Sequence, residues 1–562
     1  MSFNSTSTKG ANAYQKTPAL NSKYKSDFYD FLSNYLLPLL GLSDSTLSDG
    51  KNIHLPKYVK SKRLYIAQEG NTIYFPYYTQ AAGVWDAFMI TLDSPNLLSQ
   101  DNLKLSPRII QCFDQLCPYK RTGSGKQNII LNSVHKNSVY QMAIEKGICH
   151  WIAGDSEYDD TTNRHRQNDH HNEDKIEELL SILEQWSVKT YEGRNVTLGF
   201  VIDPDQDAAN STPLLPLHIS EGSEMGSSPH TVPDKKAAKN QPSTEQDTTF
   251  LSFLKDDTAA VLTDCIHSVI VLDSQCNFVR YESIAKNDQI RSTSLDSHIP
   301  LRFTHVIQQH IPARSRRVGI FLLNNGDIIL SKNEEIRFVK RNLHWLNFSY
   351  EAFKNAMKPF LEEYDLTDDT DHLIGQIFAS VLDVSFSHTG GIIAVVDPQK
   401  QPAKPFESQV LSEYDNLKQE IHYTEFYQNK YDECLKDADD KEIQDPKEIA
   451  LKMAETRKKL LKRSIIERLI LDDDRPEHPN KRFQDLDRKL RSELIALDGA
   501  CILDTKGDIY SFGAIISNDS GSSGGGRGAA AKKLSSYGMA IKISTDGYIE
   551  MYINRILKYS VK

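Results

Sequence analysis

The chain has 562 residues, of which 39% are hydrophobic and 25% are charged. At ~100–200 residues per domain, this length predicts roughly three or four compact units, and the ordinary composition excludes collagen-like, disulfide-scaffold and wholly disordered classes. The 76 acidic residues outnumber the 66 basic ones, so the chain offers no overall positive field for nucleic acid or for an anionic membrane. Any recognition of phosphate is therefore expected to be local.

The cysteines and the first residues bear on location. Seven cysteines, an odd number, favour reduced thiols and a cytoplasmic protein over a disulfide framework. No uncharged apolar run approaches the ~18–20 residues that cross a bilayer, so no membrane partner is expected. Residues 1–22 are rich in Ser, Thr and Asn and lack the apolar core of a secretory signal, which predicts a disordered leader.

Residues 23–203 are predicted to form an N-terminal mixed α/β domain. Apolar side chains recur every three or four residues from Phe28 to Leu39, the spacing of an amphipathic helix. Runs of β-branched and aromatic residues predict strands at Thr72–Tyr78, Arg108–Phe113 and Val196–Ile202.

A polar segment separates this domain from a second one. Residues 204–248 are mostly Ser, Pro, Asn, Asp, Lys and Gln and cannot bury enough surface to offset chain entropy, which predicts a disordered linker. Residues 249–365 are predicted to form a middle α/β domain, with a strand at Val269–Leu272 and a hairpin that turns at Asn325-Gly326. No internal repeat of fixed period is visible.

Residues 366–562 are predicted to form a third, C-terminal α/β domain. A helical stripe from Leu373 to Leu382 leads through a tight turn into the apolar strand Gly391–Val396. Residues 401–475 are highly charged and are predicted to be a helical insertion. The predicted fold class is therefore mixed α/β, in several domains.

The first candidate functional group is the carboxylate of Asp498. It lies in the segment Leu494–Leu503, where Asp-Gly-Ala stands between two apolar stretches at the start of an otherwise buried strand. A charge at such a position is costly without a partner, which indicates a ligand or a metal ion.

The second candidate is a glycine-rich segment. Residues Gly521–Gly528 read GSSGGGRG, five glycines in eight residues, and a helix is predicted to begin near Ala529. Glycine lets backbone N–H groups turn inward, and a helix start adds unpaired N–H donors and the positive end of its dipole. With Arg527 inside the segment and Lys532 after it, the pattern is that of a phosphate cradle; a flexible connector is the alternative.

The order of these motifs resembles the diadenylate cyclase family, the nucleotide-binding domain found at the N-terminus of the DNA integrity scanning protein DisA. The resemblance is carried by Gly-Gly-Ile-Ile-Ala-Val-Val at 390–396, LDGACILD at 497–504, GGRGAAAKKLS at 525–535 and ISTDGYIEMY at 543–552. It extends from about Asp371 to the C-terminus and implies a central mixed sheet flanked by helices.

The resemblance also implies a chemistry. In the family, the Asp-Gly-Ala aspartate holds Mg²⁺ or Mn²⁺ near the 3′-hydroxyl and α-phosphate of ATP, an Arg-His-Arg motif grips the phosphates, and two domains meet face to face to form cyclic di-AMP. By match, Asp498 takes the metal and catalytic role, and Arg527 is the first arginine. The residues assigned to the site are Asp498, Gly499, Ala500, Gly524, Gly525, Gly526, Arg527, Gly528, Lys532 and Ser544.

The chain departs from the family in the phosphate motif. Arg527-Gly528-Ala529 replaces Arg-His-Arg, and the loss of two charge-assisted contacts would weaken triphosphate binding by roughly 10²- to 10⁴-fold unless Lys532 or Lys533 substitutes. The expected function is a sensor of an adenine nucleotide or cyclic dinucleotide, as in divergent domains of bacterial stress and defence systems, with a metal ion only if a triphosphate binds. The alternatives are an active cyclase, which implies a homodimer or higher oligomer, and a scaffold with a relic site.

Overall fold

A computed structural model of the chain gives the fold. It describes residues 22–42, 47–50, 66–69, 71–79, 84–91, 100–116, 133–153, 166–206, 249–283, 298–363, 369–397, 432, 436, 481–514, 516 and 525–562. Nearly all of the predicted leader, linker and charged insertion lies outside these residues.

The described residues contain helices and several mixed sheets, so the chain is a multidomain mixed α/β protein, as predicted. The helices are α1 (Ser22–Phe31, continued by a π-helical turn at Leu32–Leu36), α2 (Gln100–Leu116), α3 (Ser133–Ala153), α4 (Arg166–Ser187), α5 (Phe250–Phe253), α6 (Thr304–His310), α7 (Tyr350–Glu362), α8 (Asp369–Ser387), α9 (Arg488–Ala496) and α10 (Gly525–Leu534). None of the helices in the described ranges combines the length and apolarity that a bilayer crossing requires.

The strands alternate with these helices along the chain. They are β1 (Ser48–Gly50), β2 (Ala67–Glu69), β3 (Thr72–Thr79), β4 (Val84–Thr91), β5 (Thr190–Tyr191), β6 (Arg194–Asn195), β7 (Leu198–Ile202), β8 (Ser268–Leu272), β9 (Phe278–Ser283), β10 (Val318–Leu322), β11 (Ile328–Lys332), β12 (Glu335–Arg341), β13 (His344–Leu346), β14 (Gly391–Val396), β15 (Ala500–Asp504), β16 (Ile509–Ala514), β17 (Gly538–Ile543), β18 (Ile549–Ile553) and β19 (Ile556–Val561).

The segment Arg108–Phe113, predicted as a strand, is helical and lies within α2. Leu105, Ile109 and Phe113 are all buried and are spaced four residues apart. This spacing places them on one helix face, and it becomes visible only when the pattern is followed beyond the short β-branched run.

The chain divides into two compact units. Unit 1 contains the residues up to Ile148, Lys286–Gln308 and Glu334–Lys562; unit 2 contains Cys149–Ala285 and Gln309–Asn333. In unit 2, strand β7 pairs with β8 and β10, so a strand predicted at the end of the N-terminal domain belongs with strands predicted for the middle domain. Within unit 2 the strand order is β9-β8-β7-β10-β11, with β7 and β8 parallel and the other pairs antiparallel.

The predicted site belongs to a six-stranded sheet in unit 1, which we call the C-terminal sheet. Its order is β16-β15-β14-β17-β18-β19; β14 and β15 are parallel, and the other pairs are antiparallel. β14 is entirely buried because helices cover both faces, which explains its unbroken apolar sequence.

Alternate residues of β14 face the two helical layers. Ile392, together with Ala530 and Leu534 of α10, belongs to the apolar core on one face. A β-carbon added to Gly391, which faces the opposite way, would run into the backbone of Ile495 in α9. The C-terminal sheet therefore lies between α10 on one side and α9 on the other.

Candidate functional site

Two predicted site residues, Asp498 and Ser544, lie on either side of Gly390 at one edge of the C-terminal sheet, where β14 begins. Ile393 pairs with Cys501 in the parallel ladder, so the register continued by three residues places Asp498 opposite Gly390. Gly391 pairs with Ile543 in the antiparallel ladder, so the register continued by one residue places Ser544 opposite Gly390 on its other side. We call Asp498, Gly390 and Ser544 the site row.

The guanidinium group of Arg527 lies against this row. A β-carbon added to Gly390 would stand 2.9 Å from Nη1 of Arg527 and 3.2 Å from the backbone nitrogen of Thr545. Gly390 also has a φ of +69°, which favours glycine, so both its conformation and the nearby guanidinium disfavour a side chain here. The exposed carboxylate-bearing residue Asp498 and the exposed arginine thus share one edge of the sheet.

The glycine-rich segment is helical earlier than predicted. The sequence places the helix start near Ala529, whereas α10 begins at Gly525, so Arg527 lies in the first helical turn and not in a preceding loop. Tertiary packing of Ala530 and Leu534 on the sheet supports the helix despite its glycines. Gly524 lies outside the described residues.

The first turn of α10 begins with two exposed glycines. A β-carbon added to Gly525 or Gly526 would meet no atom of the described residues within 4 Å. The first N–H groups of a helix have no partner within it, and they stand at the positive end of its dipole. This turn can therefore bind an anion beside the Arg527 guanidinium.

Lys542 is a further cation at this turn and was not predicted. Its Nζ lies 3.9 Å from the position that a β-carbon on Gly528 would take, and it forms an ion pair of 2.8 Å with Glu550. The available signal was a single lysine inside the apolar strand Gly538–Ile543. Its nearness to Gly528 depends on the packing of α10 on β17, which the sequence does not reveal.

Glu550 holds two lysines at once. Burial favours its neutral form, but hydrogen bonds from Lys542 and Lys562, together with the charges of both ammonium groups, outweigh burial and lower the pKa of Glu550 to about 2. Lys562 is thereby tied to β18, the strand that carries Glu550.

Glu550→Gln should change the pH dependence of folding stability. The folded-state pKa of Glu550 is about 2 and its ordinary value is 4.5, so its stabilising effect is complete above about pH 4.5 and is lost as pH falls toward 2. The variant should melt at a lower temperature than the wild type at neutral pH, and the two melting temperatures should converge between pH 4.5 and 2. Circular dichroism melts across this range measure the effect, and a constant difference would contradict it.

The other predicted residues have different places. Lys532 is in the last turn of α10, with its Nζ 5.5 Å from the centre of the Tyr552 ring, and not at the first turn beside Arg527. The Ser544 hydroxyl accepts a hydrogen bond of 3.1 Å from the Tyr548 N–H, so it shapes the turn after β17. Lys542, rather than Lys532, is therefore the nearer cation to the helix start.

Gly499 and Ala500 have backbone and packing roles. Gly499 has a φ of +110°, and a β-carbon there would lie 2.8 Å from the Ala514 nitrogen and closer still to the Gly513 backbone. Ala500 is buried in the core under α10. Together they let the chain pass close to β16 and leave Asp498 at the edge.

Gly499→Ala should lower the free energy of unfolding by more than about 1 kcal/mol, because alanine tolerates neither the φ nor the close backbone contact. Gly526→Ala is the matched control: it adds the same methyl group in open space within a helix and should be neutral or stabilising by up to about 1 kcal/mol. Denaturant titration without ligand measures both variants. Equal effects would show that the close approach at Gly499 is not rigid.

An imidazole also lies near the site row. His388, in the turn between α8 and β14, has its Nδ1 3.1 Å from the carbonyl oxygen of Thr545. Thr545 is the residue whose nitrogen lies beside Gly390. The edge thus gathers a carboxylate, a guanidinium, an ammonium group and an imidazole from separate parts of the sequence.

Within the described residues, no group of three or more His, Cys, Asp or Glu side chains stands together as a ready metal site. Comparison of the chain with protein-family models, with curated proteins and with solved structures finds no match. A functional assignment therefore depends on the residues of this edge themselves.

Proposed function

We propose that the C-terminal domain binds an adenine nucleotide or cyclic dinucleotide and acts as a sensor of it. The observation that carries this proposal is the placement of the Arg527 guanidinium beside Gly390, in the row that also holds Asp498. A cation and a glycine-rich helix start next to one carboxylate supply the two groups that a nucleotide requires, one for phosphate and one for metal or ribose.

The phosphates would be held by the first turn of α10. Arg527 supplies paired N–H donors in a planar fork that suits phosphate oxygens, and the backbone N–H groups of Gly526 and Gly528 supply neutral donors. Lys542 is close enough to Gly528 to add a second positive charge, which partly replaces the arginine that the family motif has and this chain lacks.

Asp498 would hold a divalent metal ion if a triphosphate binds. Mg²⁺ keeps several waters in most proteins and takes one or two carboxylates together with substrate phosphates, so a single exposed carboxylate beside a phosphate site meets its requirement. With a cyclic dinucleotide, Asp498 would accept a hydrogen bond from ribose instead. With a triphosphate, the bound metal ion would neutralise part of the phosphate charge.

A sensor is favoured over a working cyclase because the positive charge at the edge is limited. Gly528 and Ala529 carry no donor side chain, and Lys542 already shares its charge with Glu550. Turnover requires charge stabilisation beyond what binding requires, since only contacts that strengthen in the transition state accelerate a reaction.

An assay on the full chain distinguishes the three functions. With labelled ATP and Mg²⁺ or Mn²⁺, we expect bound nucleotide and no cyclic product, and a rise in melting temperature with ATP or cyclic di-AMP. Formation of cyclic di-AMP that Asp498→Asn abolishes would make the chain a cyclase. No shift with either ligand would favour a scaffold with a relic site.

A further inference from the structure

Five strands of unit 2 repeat the arrangement of five strands of the C-terminal sheet. Unit 2 has the order β9-β8-β7-β10-β11, and the C-terminal sheet has β16-β15-β14-β17-β18. In each set the second and third strands are parallel, and every other neighbouring pair is antiparallel. The strands also follow one another along the chain in the same sequence.

The first hairpin turn is the same in both sets. The Asp273 nitrogen donates to the Asn277 oxygen over 3.1 Å, and its carboxylate accepts from the N–H groups of Gln275 and Asn277. In the C-terminal sheet the Asp504 nitrogen donates to the Asp508 oxygen over 3.0 Å, and its carboxylate accepts from the residues two and four further on.

The second hairpin turn is also shared. The Leu323 nitrogen donates to Asp327, and the Gly326 nitrogen donates back to Leu323, each over 2.9 Å. Ser544 takes the place of Leu323 in the C-terminal sheet: its nitrogen donates to Tyr548 over 2.9 Å, and the positive-φ Gly547 donates back to it over 2.9 Å. Shared strand order could arise by convergence, but the same two turns at the same two places indicate one duplicated fold.

The shared turns identify the positions in unit 2 that match the site row. Counting back from Asp273, the equivalent of Asp504, places His267 where the C-terminal sheet has Asp498. The β7–β8 register sets Thr197 opposite His267, and the β7–β10 register sets Leu323 opposite Thr197. The unit 2 row is therefore His267, Thr197 and Leu323, and strand register and turn equivalence agree on it.

The chemistry of the unit 2 row differs at every position. The carboxylate is replaced by the imidazole of His267, whose Nδ1 lies 2.5 Å from the Asp264 carboxylate. Thr197 stands in place of Gly390, the glycine beside which Arg527 lies. The buried Leu323 stands in place of Ser544. Between β9 and β10, where the C-terminal sheet has α10 between β16 and β17, the described residues contain the shorter helix α6.

We infer that the chain contains two copies of one fold and that only the C-terminal copy binds a nucleotide, so that one chain binds one nucleotide. This inference rests on the proposed function. Unit 2 keeps the strands and turns of the repeat, but its row has neither a carboxylate for metal or ribose nor a glycine that admits a guanidinium. The two copies share their strands and hairpin turns, and they differ at the edge that would contact a ligand.

Isothermal titration of the full chain tests the inference, with ATP and Mg²⁺ as one probe and cyclic di-AMP as the other. We expect one ATP per chain, and one cyclic di-AMP per chain or per two chains if two copies share it. Arg527→Gln should weaken this binding about 10- to 150-fold, and His267→Ala should leave both stoichiometry and affinity unchanged. Both side chains are exposed, so neither change should disturb the fold.

The outcomes separate this inference from the proposed function. Two ATP per chain, with one site lost in Arg527→Gln and the other in His267→Ala, would overturn the inference and leave the proposed function in place. Binding that depends on His267 and not on Arg527 would overturn both. An absence of binding with both probes would also overturn both, because the stoichiometry would be zero.

Discussion

Replacing Arg527 with glutamine should raise the dissociation constant for ATP about 10- to 150-fold, because a hydrogen bond to a charged group contributes about 1.5–3 kcal/mol. The effect should be large because the Arg527 guanidinium lies directly against Gly390 in the site row. Glutamine keeps the helix and a donor but removes the charge. Titration calorimetry of the full chain measures the change.

Arg555→Gln is the matched control. Arg555 is an exposed arginine of the same sheet, in the turn that joins β18 and β19, and its replacement should leave the affinity within twofold of the wild type. Raising the salt concentration should weaken wild-type binding more than binding to Arg527→Gln, since the variant has lost an ionic contact. Equal affinities for the wild type and Arg527→Gln would remove the guanidinium from the site.

The second large effect concerns stability and the Arg488 side chain. This residue begins α9, is 1% exposed, and donates to the Asp383 carboxylate of α8 over 2.7 Å. It also donates to the carbonyl oxygen of Ile299 over 2.5 Å, while Asp383 accepts from the Leu301 N–H. Arg488→Met should lower the free energy of unfolding by about 3–5 kcal/mol, because it leaves the largely buried Asp383 carboxylate without its counter-charge.

Two variants show whether the buried pair is responsible. Arg482→Met breaks an ion pair with Asp369 in which both side chains are exposed. It should lower the free energy of unfolding by less than about 1 kcal/mol. Arg488→Met combined with Asp383→Asn should be less destabilised than the sum of the single changes. Denaturant titration measures the wild type, Arg482→Met, Arg488→Met, Asp383→Asn and the double variant, and strict additivity would show that Asp383 is not left uncompensated.

The sequence predicted the buried elements at the C-terminal sheet well. The continuous apolar run Gly391–Val396 is a strand with those bounds because helices cover both of its faces, and the stripe Leu373–Leu382 lies within α8 because its spacing matches one helix face. Local patterns sufficed there because burial imposes them directly.

The parts that were missed depend on packing between distant segments. Lys542 stands near Gly528 only because α10 lies on β17, and α10 begins at Gly525 because its alanines and Leu534 are buried against the sheet. The repeated fold has no constant period because the segment between its parallel strands runs from Asp203 to His267 in one copy and from Asp397 to Gly499 in the other. Such insertions hide a duplication from a search for fixed spacing.

The most direct test of nucleotide binding at this edge is a crystal structure of the full chain with ATP and Mn²⁺, using the anomalous signal of manganese to locate the metal. We expect a manganese peak at coordination distance from the Asp498 carboxylate and phosphate oxygens in hydrogen-bond contact with the Arg527 guanidinium and the first turn of α10. Manganese and nucleotide bound at any other place on the chain, with Asp498 and Arg527 touching neither, would contradict the assignment.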